Sequence, residues 1–307
     1  FQNGTWKLTN VVQQIVSVWE NLSYENADGL IHDDTEFWGL LSKFCQLSQE
    51  KRIENGALNM VRKEFEFDIS NPDQLSILKL KSNSPSNRII EELAIAVNRE
   101  TGRLFQESKF PGIYRTQSSY KIIKELEIEN KQLPEKIRVE PARLTTIAGP
   151  HAGLGCEVYM HATSPIRRFV DLVTQHQLKN LINNAEPVFN SEEMMRWAEA
   201  TTLRQRKYSR AEKNILQYWK FKYLQQHMKE LFEATVRKQL SNNNTEIELV
   251  ELDCIFQVSG LRGYDEEEQI ILRINEICLD PLKLVVRAFK KCPVGESPHR
   301  IVSQSND

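Results

Sequence analysis

Two adjacent arginines, Arg167 and Arg168, follow Ser164-Pro165 in the stretch GPHAGLGCEVYMHATSPIRRFVDLVTQHQL, residues 149–178. Serine is a good helix N-cap and proline suits the first helical position, so a helix is expected to open at Ser164 with both arginines in its first turn. Cations there oppose the helix dipole at about 0.3–1 kcal/mol each, so the pair asks for an anion. A helix N-terminus attracts anions, and a guanidinium fork fits phosphate oxygens. The same spacing allows a plainer arrangement, an ion pair between Arg167 and Asp171 one turn on. These residues alone leave both open. Just upstream, Gly149, Pro150, Gly153 and Gly155 predict a loop in which backbone approaches a ligand closely, and residues 158–163 predict a short β run.

Other charges stand out of place. NRIIEELAIAVNRETGRLF (87–105) is apolar on nearly every side from 89 to 97, the mark of a buried helix, yet it holds Glu91 and Glu92. Acids in a buried helix need partners or sit at sites; the alternative is a wetter helix end. Further on, Glu212 is the lone carboxylate on the stripe Tyr208, Glu212, Ile215, Leu216, Trp219 and Tyr223. Arg206, Arg210 and Lys213 share a helix face at i, i+4, i+7 spacing, as a polyanion footprint or as a solvated face. His151, His161 and His176 flank Cys156 at a spacing that matches no familiar zinc pattern. His161 reads instead as a hydrogen-bonding group beside whatever Arg167 holds. GxSxG, a Walker loop and a dinucleotide fingerprint are all absent from the sequence.

The chain has 307 residues, a formal net charge of −2, 40% apolar and 27% charged residues, an ordinary globular composition with no global basic signature. The charge is uneven, with eight basic and two acidic residues between Arg196 and Lys222. Five scattered cysteines without CxxC point to a reducing compartment, the cytoplasm or a reducing organelle. No apolar run has the length of a membrane span, so no membrane partner is expected; a monomer is. The first residue is Phe1 rather than methionine, which suggests a processed chain or a fragment.

The elements that must position these groups follow from periodicity. Residues 11–19 read as a helix. Asp34 can cap a second, with Phe37, Leu40, Leu41 and Phe44 at helical spacing. LSILKLK (75–81) is the best strand of the first half, and a helix is expected around 120–126. The helix from Ser164 should run to about Asn183, followed by a break at 184–188. Asn190 with Glu193 forms a capping box, opening a helix that continues to Lys229, about 60 Å at the usual rise. From Leu231, five short runs (ATVRK, EIELVEL, CIFQVSG, QIILRI and LKLVVRAF) predict a small OB-type barrel, and the polar tail from Pro293 predicts disorder.

The stretch GPHAGLGCEVYMHATSPIRRFVDL closely resembles the signature of the RNB family, the ribonuclease II and ribonuclease R exoribonucleases, with HATSPIRRF carrying most of the specificity. IIEELAIAVN (89–98) and SRAEKNILQYWKFKYL (209–224) extend the resemblance over most of residues 1–228. It implies an α+β chain: residues 1–228 as the mostly helical C-terminal portion of an RNB catalytic domain, 229–291 as an OB-fold RNA-binding domain, and 292–307 as a disordered tail. It also implies magnesium-dependent, 3′-to-5′ hydrolysis of single-stranded RNA to nucleoside 5′-monophosphates. Arg167 is similar to the arginine that holds the scissile phosphate. Glu91 matches the residue that reads a ribose near the 3′ end, and Glu212 a glutamate on the substrate path. His161, Thr163, Ser164, Arg168, Arg206, Arg210 and Lys213 are expected to line the RNA. Two departures matter. The family's magnesium is held by an aspartate cluster that Asp33-Asp34 does not reproduce, so no metal ligand is expected in this chain and the ligands are expected upstream. The aromatic residue expected just after GAL (56–58), to stack the terminal bases, is replaced by Asn59 and Met60. The alternative is a non-catalytic RNA-binding protein on the same scaffold.

Overall fold

The computed structural model describes residues 8–32, 36–58, 64–80, 84–128, 131–240, 244–250, 252, 254–259, 261 and 263–291. In chain order the elements are α1 (Tyr24–His32), α2 (Glu36–Glu54), the hairpin β1 (Glu64–Asp68) and β2 (Ser76–Leu80), α3 (Pro85–Glu107), β3 (Tyr114–Thr116), β4 (Tyr120–Ile128), β5 (Lys131–Val139) and β6 (Arg143–Thr145). Then come α4 (Phe169–Ile182), α5 (Ser191–Gln226) and five strands, β7 (Leu231–Gln239), β8 (Asn244–Leu249), β9 (Cys254–Ser259), β10 (Gln269–Leu279) and β11 (Leu282–Lys291). The chain divides into two compact units, residues 1–62 with 82–207 and residues 63–81 with 208–307.

In the first unit α3 is the spine. Ser84 caps it, accepting from the Asn87 N–H at 3.4 Å, and Pro85 occupies the first turn. One face buries Ile89, Glu92, Ile95, Ala96, Asn98 and Phe105. The helix is not buried all round, however: Ile90 and Val97 are about half exposed and Glu91 faces solvent. Phe105 packs with Tyr114, Val158 and Met160, and a neighbouring cluster of Ile113, Val170, Val173, Met194 and Ala198 joins α4 to the start of α5. The capping box is present as expected, with the Asn190 N–H on Glu193 Oε2 at 2.9 Å and the Glu193 N–H on Asn190 Oδ1 at 3.0 Å.

In the second unit the last five strands close a barrel in the order β10-β11-β9-β8-β7, with β7 also paired to β10. Every neighbouring pair is antiparallel except β11 with β9. This is an OB-like closure, and α+β is the observed class. Inward residues alternate cleanly, with Phe232, Ala234 and Val236 on β7 and Thr245, Ile247 and Leu249 on β8. Phe67 and Ile77 of the β1–β2 hairpin pack against the barrel core. The Leu75 N–H donates to Gln226 Oε1 at 2.8 Å, and Gln226 Nε2 donates to the Pro72 carbonyl at 2.9 Å.

Three expected elements are different. Residues 120–126 form strand β4, paired with β5 from Tyr120↔Val139 to Ile128↔Lys131, not a helix. A short apolar run has no decisive period, and pairing with the next strand decides its conformation. Residues 11–19 have no regular secondary structure, and Ile15 and Trp19 are almost fully exposed. An amphipathic helix draws its stability from a surface to bury its stripe against, and here none of the described residues covers it. Residues 158–163 make isolated contacts, such as the Tyr114↔Met160 bridge, instead of a strand. The cap at Asp34, Asn59-Met60 and the tail from Pro293 lie outside the described residues.

Candidate nucleic-acid interface

The central stretch is tied to α2, α3 and β3. Arg52, near the end of α2, sits with Glu92 in a buried ion pair, its Nε 3.0 Å from Glu92 Oε2, and its Nη1 donates to the Leu154 carbonyl at 3.0 Å. Gly155 has φ +61, and a Cβ there would lie 2.4 Å from the Arg52 carbonyl oxygen. A Cβ on Gly153 would lie 2.6 Å from Gln117 Oε1, which instead accepts the Gly153 N–H at 2.8 Å. The glycines therefore serve close packing of the chain on itself, not the approach of backbone to a ligand that the loop suggested.

Asn98, on α3, organises the next segment. Its Oδ1 accepts the Ala162 N–H at 2.8 Å, and its Nδ2 reaches the Tyr159 hydroxyl at 3.0 Å and Thr163 Oγ1 at 3.4 Å. Glu91 lies seven residues before Asn98, about 10 Å along the helix axis. Glu91 is exposed and makes no hydrogen bond or ion pair among the described residues. The acid that needed a partner in the buried part of the helix is Glu92.

The arginine pair departs from expectation in two ways. First, α4 begins at Phe169, and Arg168 is its N-cap, in extended conformation at φ −123 and ψ 117. Residues 165–167 form a separate turn, closed by the Arg167 and Arg168 N–H groups on the Ser164 carbonyl at 3.3 and 3.0 Å. Neither arginine is therefore in the first turn of a helix. Second, Arg168, not Arg167, pairs with Asp171: Arg168 Nη2 and the Ser164 N–H both donate to Asp171 Oδ1, at 2.7 and 2.8 Å. The buried carboxylate three residues into α4 holds the preceding turn, which displaces Ser164 from the capping role it was expected to fill. Arg167 is exposed, and its guanidinium makes no hydrogen bond or ion pair among the described residues.

A third arginine, Arg115 on β3, completes the cluster. Its N–H donates to the Tyr159 carbonyl at 2.9 Å, and its Nη1 stands 3.4 Å from His161 Nε2. Burial pushes the Arg115 guanidinium below its ordinary value, and the Arg168 cation adds to the effect. Burial likewise pushes His161 down to about 3, helped by the Arg168, Arg115, His151 and Arg167 charges, so His161 is neutral at physiological pH. Three guanidiniums thus act on one neutral imidazole, while the single carboxylate paired to any of them, Asp171, is engaged by Arg168. Arg168 keeps a further donor, Nε, buried without a partner, and α4 has no side-chain cap on its N–H groups. The arrangement suits an anion with several oxygens.

Sequence reading missed Arg115 and Asn98. Neither has a local signature, because each becomes informative only when β3 and α3 are laid beside residues 159–163. Of the expected residues, His161, Thr163, Ser164, Arg167 and Arg168 come together. Arg206, Arg210, Glu212 and Lys213 lie on α5 where every residue from 203 to 218 is exposed, and they make no hydrogen bond or ion pair among the described residues. His176 is exposed on α4, and Cys156 is buried beside the Leu154 carbonyl. No group of three His, Cys, Asp or Glu fit to hold a metal occurs among the described residues.

Comparison with known proteins places this geometry. The RNB domain model matches residues 2–184. An uncharacterized ribonuclease of Synechocystis is 22% identical over 240 residues, 73% of this chain and 35% of its own length, and ribonuclease II of Arabidopsis chloroplasts and mitochondria is 23% identical over 273 residues, 83% of this chain and 34% of its own. The chain therefore spans about a third of the length of the curated relatives it matches. Among solved structures, an active-site mutant of the Dss1 exoribonuclease of Candida glabrata aligns with TM-score 0.72 at 18% identity over 88% of this chain and 38% of its own. Mycoplasma genitalium RNase R in complex with ribose-methylated single-stranded RNA aligns with TM-score 0.71 at 13% identity, over 87% of this chain and 53% of its own. The yeast pseudonuclease Ssd1 aligns with TM-score 0.51 at 14% identity, over 83% of this chain and 38% of its own. With one domain model covering more than half of its residues, the chain belongs to the RNB family.

Proposed function

We propose that this chain forms the RNA-holding part of a 3′-to-5′ exoribonuclease that hydrolyses single-stranded RNA to nucleoside 5′-monophosphates. The observation that carries the reading is the set of guanidiniums of Arg115, Arg167 and Arg168 around neutral His161, with one engaged carboxylate among them. A backbone phosphate supplies the missing anion. Arg167, free and exposed, is assigned to the scissile phosphate, and Arg168, Thr163, Ser164 and His161 to the oxygens beside it. Glu91, about two helical turns away from Asn98, is assigned to a ribose 2′-hydroxyl. Arg206, Arg210, Glu212 and Lys213 are assigned to the RNA path. Magnesium remains part of the proposal, with its ligands outside the described residues, and no step of the chemistry is derived through it.

In this reading residues 1–228 are the C-terminal portion of the catalytic domain and 229–291 the RNA-binding barrel. The outward positions of β8 and β9 are Glu246, Glu248, Ile255 and Gln257, whereas Lys283 and Arg287 are exposed on β11. The barrel's phosphate contacts are therefore assigned to its β11 side. The protein acts as a monomer in a reducing compartment such as the cytoplasm. No helix among the described residues is long and apolar enough to cross a membrane.

A second reading is RNA binding without catalysis on the same scaffold. The likeness to the pseudonuclease Ssd1 shows that the same fold occurs in a protein so described. Magnesium-dependent release of 5′-monophosphates from labelled single-stranded RNA by the intact enzyme, which includes the upstream residues expected to hold the metal, separates the two. The first reading predicts release, cut about 10²–10³-fold by Arg167→Ala and by Arg167→Lys. RNA retention without release supports the second.

A further inference from the structure

We infer that Arg115 is a positioning residue that acts through His161, fixing its imidazole in the Nδ1–H tautomer so that the ring presents an N–H to an oxygen of the RNA backbone. The inference rests on the RNA-holding reading above and adds a residue and a protonation state to it.

The chemistry leaves one solution. A guanidinium has donors only, so the 3.4 Å approach of Arg115 Nη1 to His161 Nε2 is favourable when Nε2 carries a lone pair. A neutral imidazole with a bare Nε2 bears its proton on Nδ1. The charged form would put two cations in contact, and it is suppressed by the ring's surroundings on every side. Arg115 comes from β3, Arg167 and Arg168 from the turn before α4, and Tyr159 and His151 from the loop. Tyr159 stacks edge-on with His161 at a centroid distance of 5.7 Å, and its hydroxyl is held by Asn98. None of these groups is an acid that would stabilise an imidazolium.

The free side of the ring is the informative one. His161 Nδ1 makes no hydrogen bond to any described residue, yet it is not sealed off as His151 Nδ1 is, which is buried without a partner. A neutral donor among three guanidiniums differs from them in kind: it adds a directional hydrogen bond without adding charge. Its acceptor is a phosphate or ribose oxygen, the two being alike in what they offer an N–H.

The test is ¹⁵N NMR of the histidine ring nitrogens in the full chain, with the His161 signals identified by their loss in His161→Asn. The expected result is a proton-free Nε2 and a protonated Nδ1, unchanged from pH 8 to pH 5. An Nε2–H tautomer, or an imidazolium in that range, overturns the inference. Arg115→Leu removes the donor and should shift His161 toward the Nε2–H form, while Arg115→Lys should keep the Nδ1–H form; a Leu variant that keeps it also overturns the inference. A merely structural role for Arg115 would not move the tautomer. Added single-stranded RNA should shift the Nδ1 signal, and Arg115→Leu should weaken RNA binding about tenfold, with Arg115→Lys losing much less. A matched DNA strand that shifts Nδ1 equally identifies a phosphate acceptor, and a shift confined to RNA identifies the 2′-hydroxyl. The expected tautomer with no RNA binding at all would sink the RNA-holding reading and leave the tautomer assignment standing.

Discussion

Arg168 Nη2 meets Asp171 Oδ1 at 2.7 Å across the start of α4, and the same oxygen takes the Ser164 N–H at 2.8 Å. One buried carboxylate thus fixes both ends of the turn that carries Arg167. Asp171→Ala would leave a half-buried guanidinium and a backbone N–H without their acceptor. The expected loss is about 3 kcal/mol of stability by denaturant unfolding. Arg167→Ala, by contrast, removes a group with no partner and should leave the melting temperature unchanged. Equal destabilisation by the two substitutions would mean that Arg167, too, is structural.

The loop of residues 151–156 hangs on α2. Gly155→Ala places a methyl 2.4 Å from the Arg52 carbonyl at a φ of +61, so backbone must move. A cost of about 2 kcal/mol or more is expected from strain of this kind. Arg52→Met strands the buried Glu92 carboxylate and should cost about 3–5 kcal/mol. Recovery of most of that loss in an Arg52→Met, Glu92→Leu double variant would show that the pair serves geometry more than stability.

Much of this was readable in the sequence, for identifiable reasons. The α5 capping box and the five barrel strands have strong local chemistry: Asn190 with Glu193, and strict alternation such as Thr245, Ile247, Leu249. Helix α3 was legible as a helix over 87–105, but its cap at Ser84 was not. Strand β4 was not readable, since its short apolar run has no decisive period and the two residues before β5, Glu129-Asn130, are not a strong hairpin-turn pair. The start of α4 was misplaced because Ser164-Pro165 imitates a helix opening, while the group that settles the matter, Asp171, lies inside the helix. The candidate site was half legible. HATSPIRRF names residues that stay together by chain connectivity, whereas Arg115 and Asn98 join them only through tertiary packing.

Acid sensitivity follows from the two buried histidines. Burial first, then the Arg115 charge, holds His151 down at about 4, and burial with the neighbouring arginines holds His161 at about 3. Below an unfolded value near 6.5 the unfolded chain takes up protons that the folded chain refuses. Stability is therefore complete above that pH and falls as pH drops toward the folded values. Between pH 7.5 and pH 5 the loss should be about 2 kcal/mol for each histidine. Chemical denaturation of wild type and His151→Gln at the two pH values checks this. The variant should lose less than the wild type, and identical losses would remove His151 from the account.

The exposed cations of α5 carry a separable prediction. Changing Arg206, Arg210 and Lys213 together to Gln touches no ion pair among the described residues, so folding should be unaffected. If each meets a phosphate, the log–log slope of single-stranded RNA affinity against salt should become shallower by about 2. An unchanged slope would make this face a solvated one.

The central claim is that the guanidiniums around His161 hold RNA phosphate. Its most direct measurement is the salt dependence of single-stranded RNA binding by wild type and Arg167→Ala, because Arg167 is the one of the three that supports no other described residue. The account predicts a weaker affinity and a slope shallower by about 0.7, with an unchanged melting temperature. Identical affinity and slope in folded Arg167→Ala protein would contradict it.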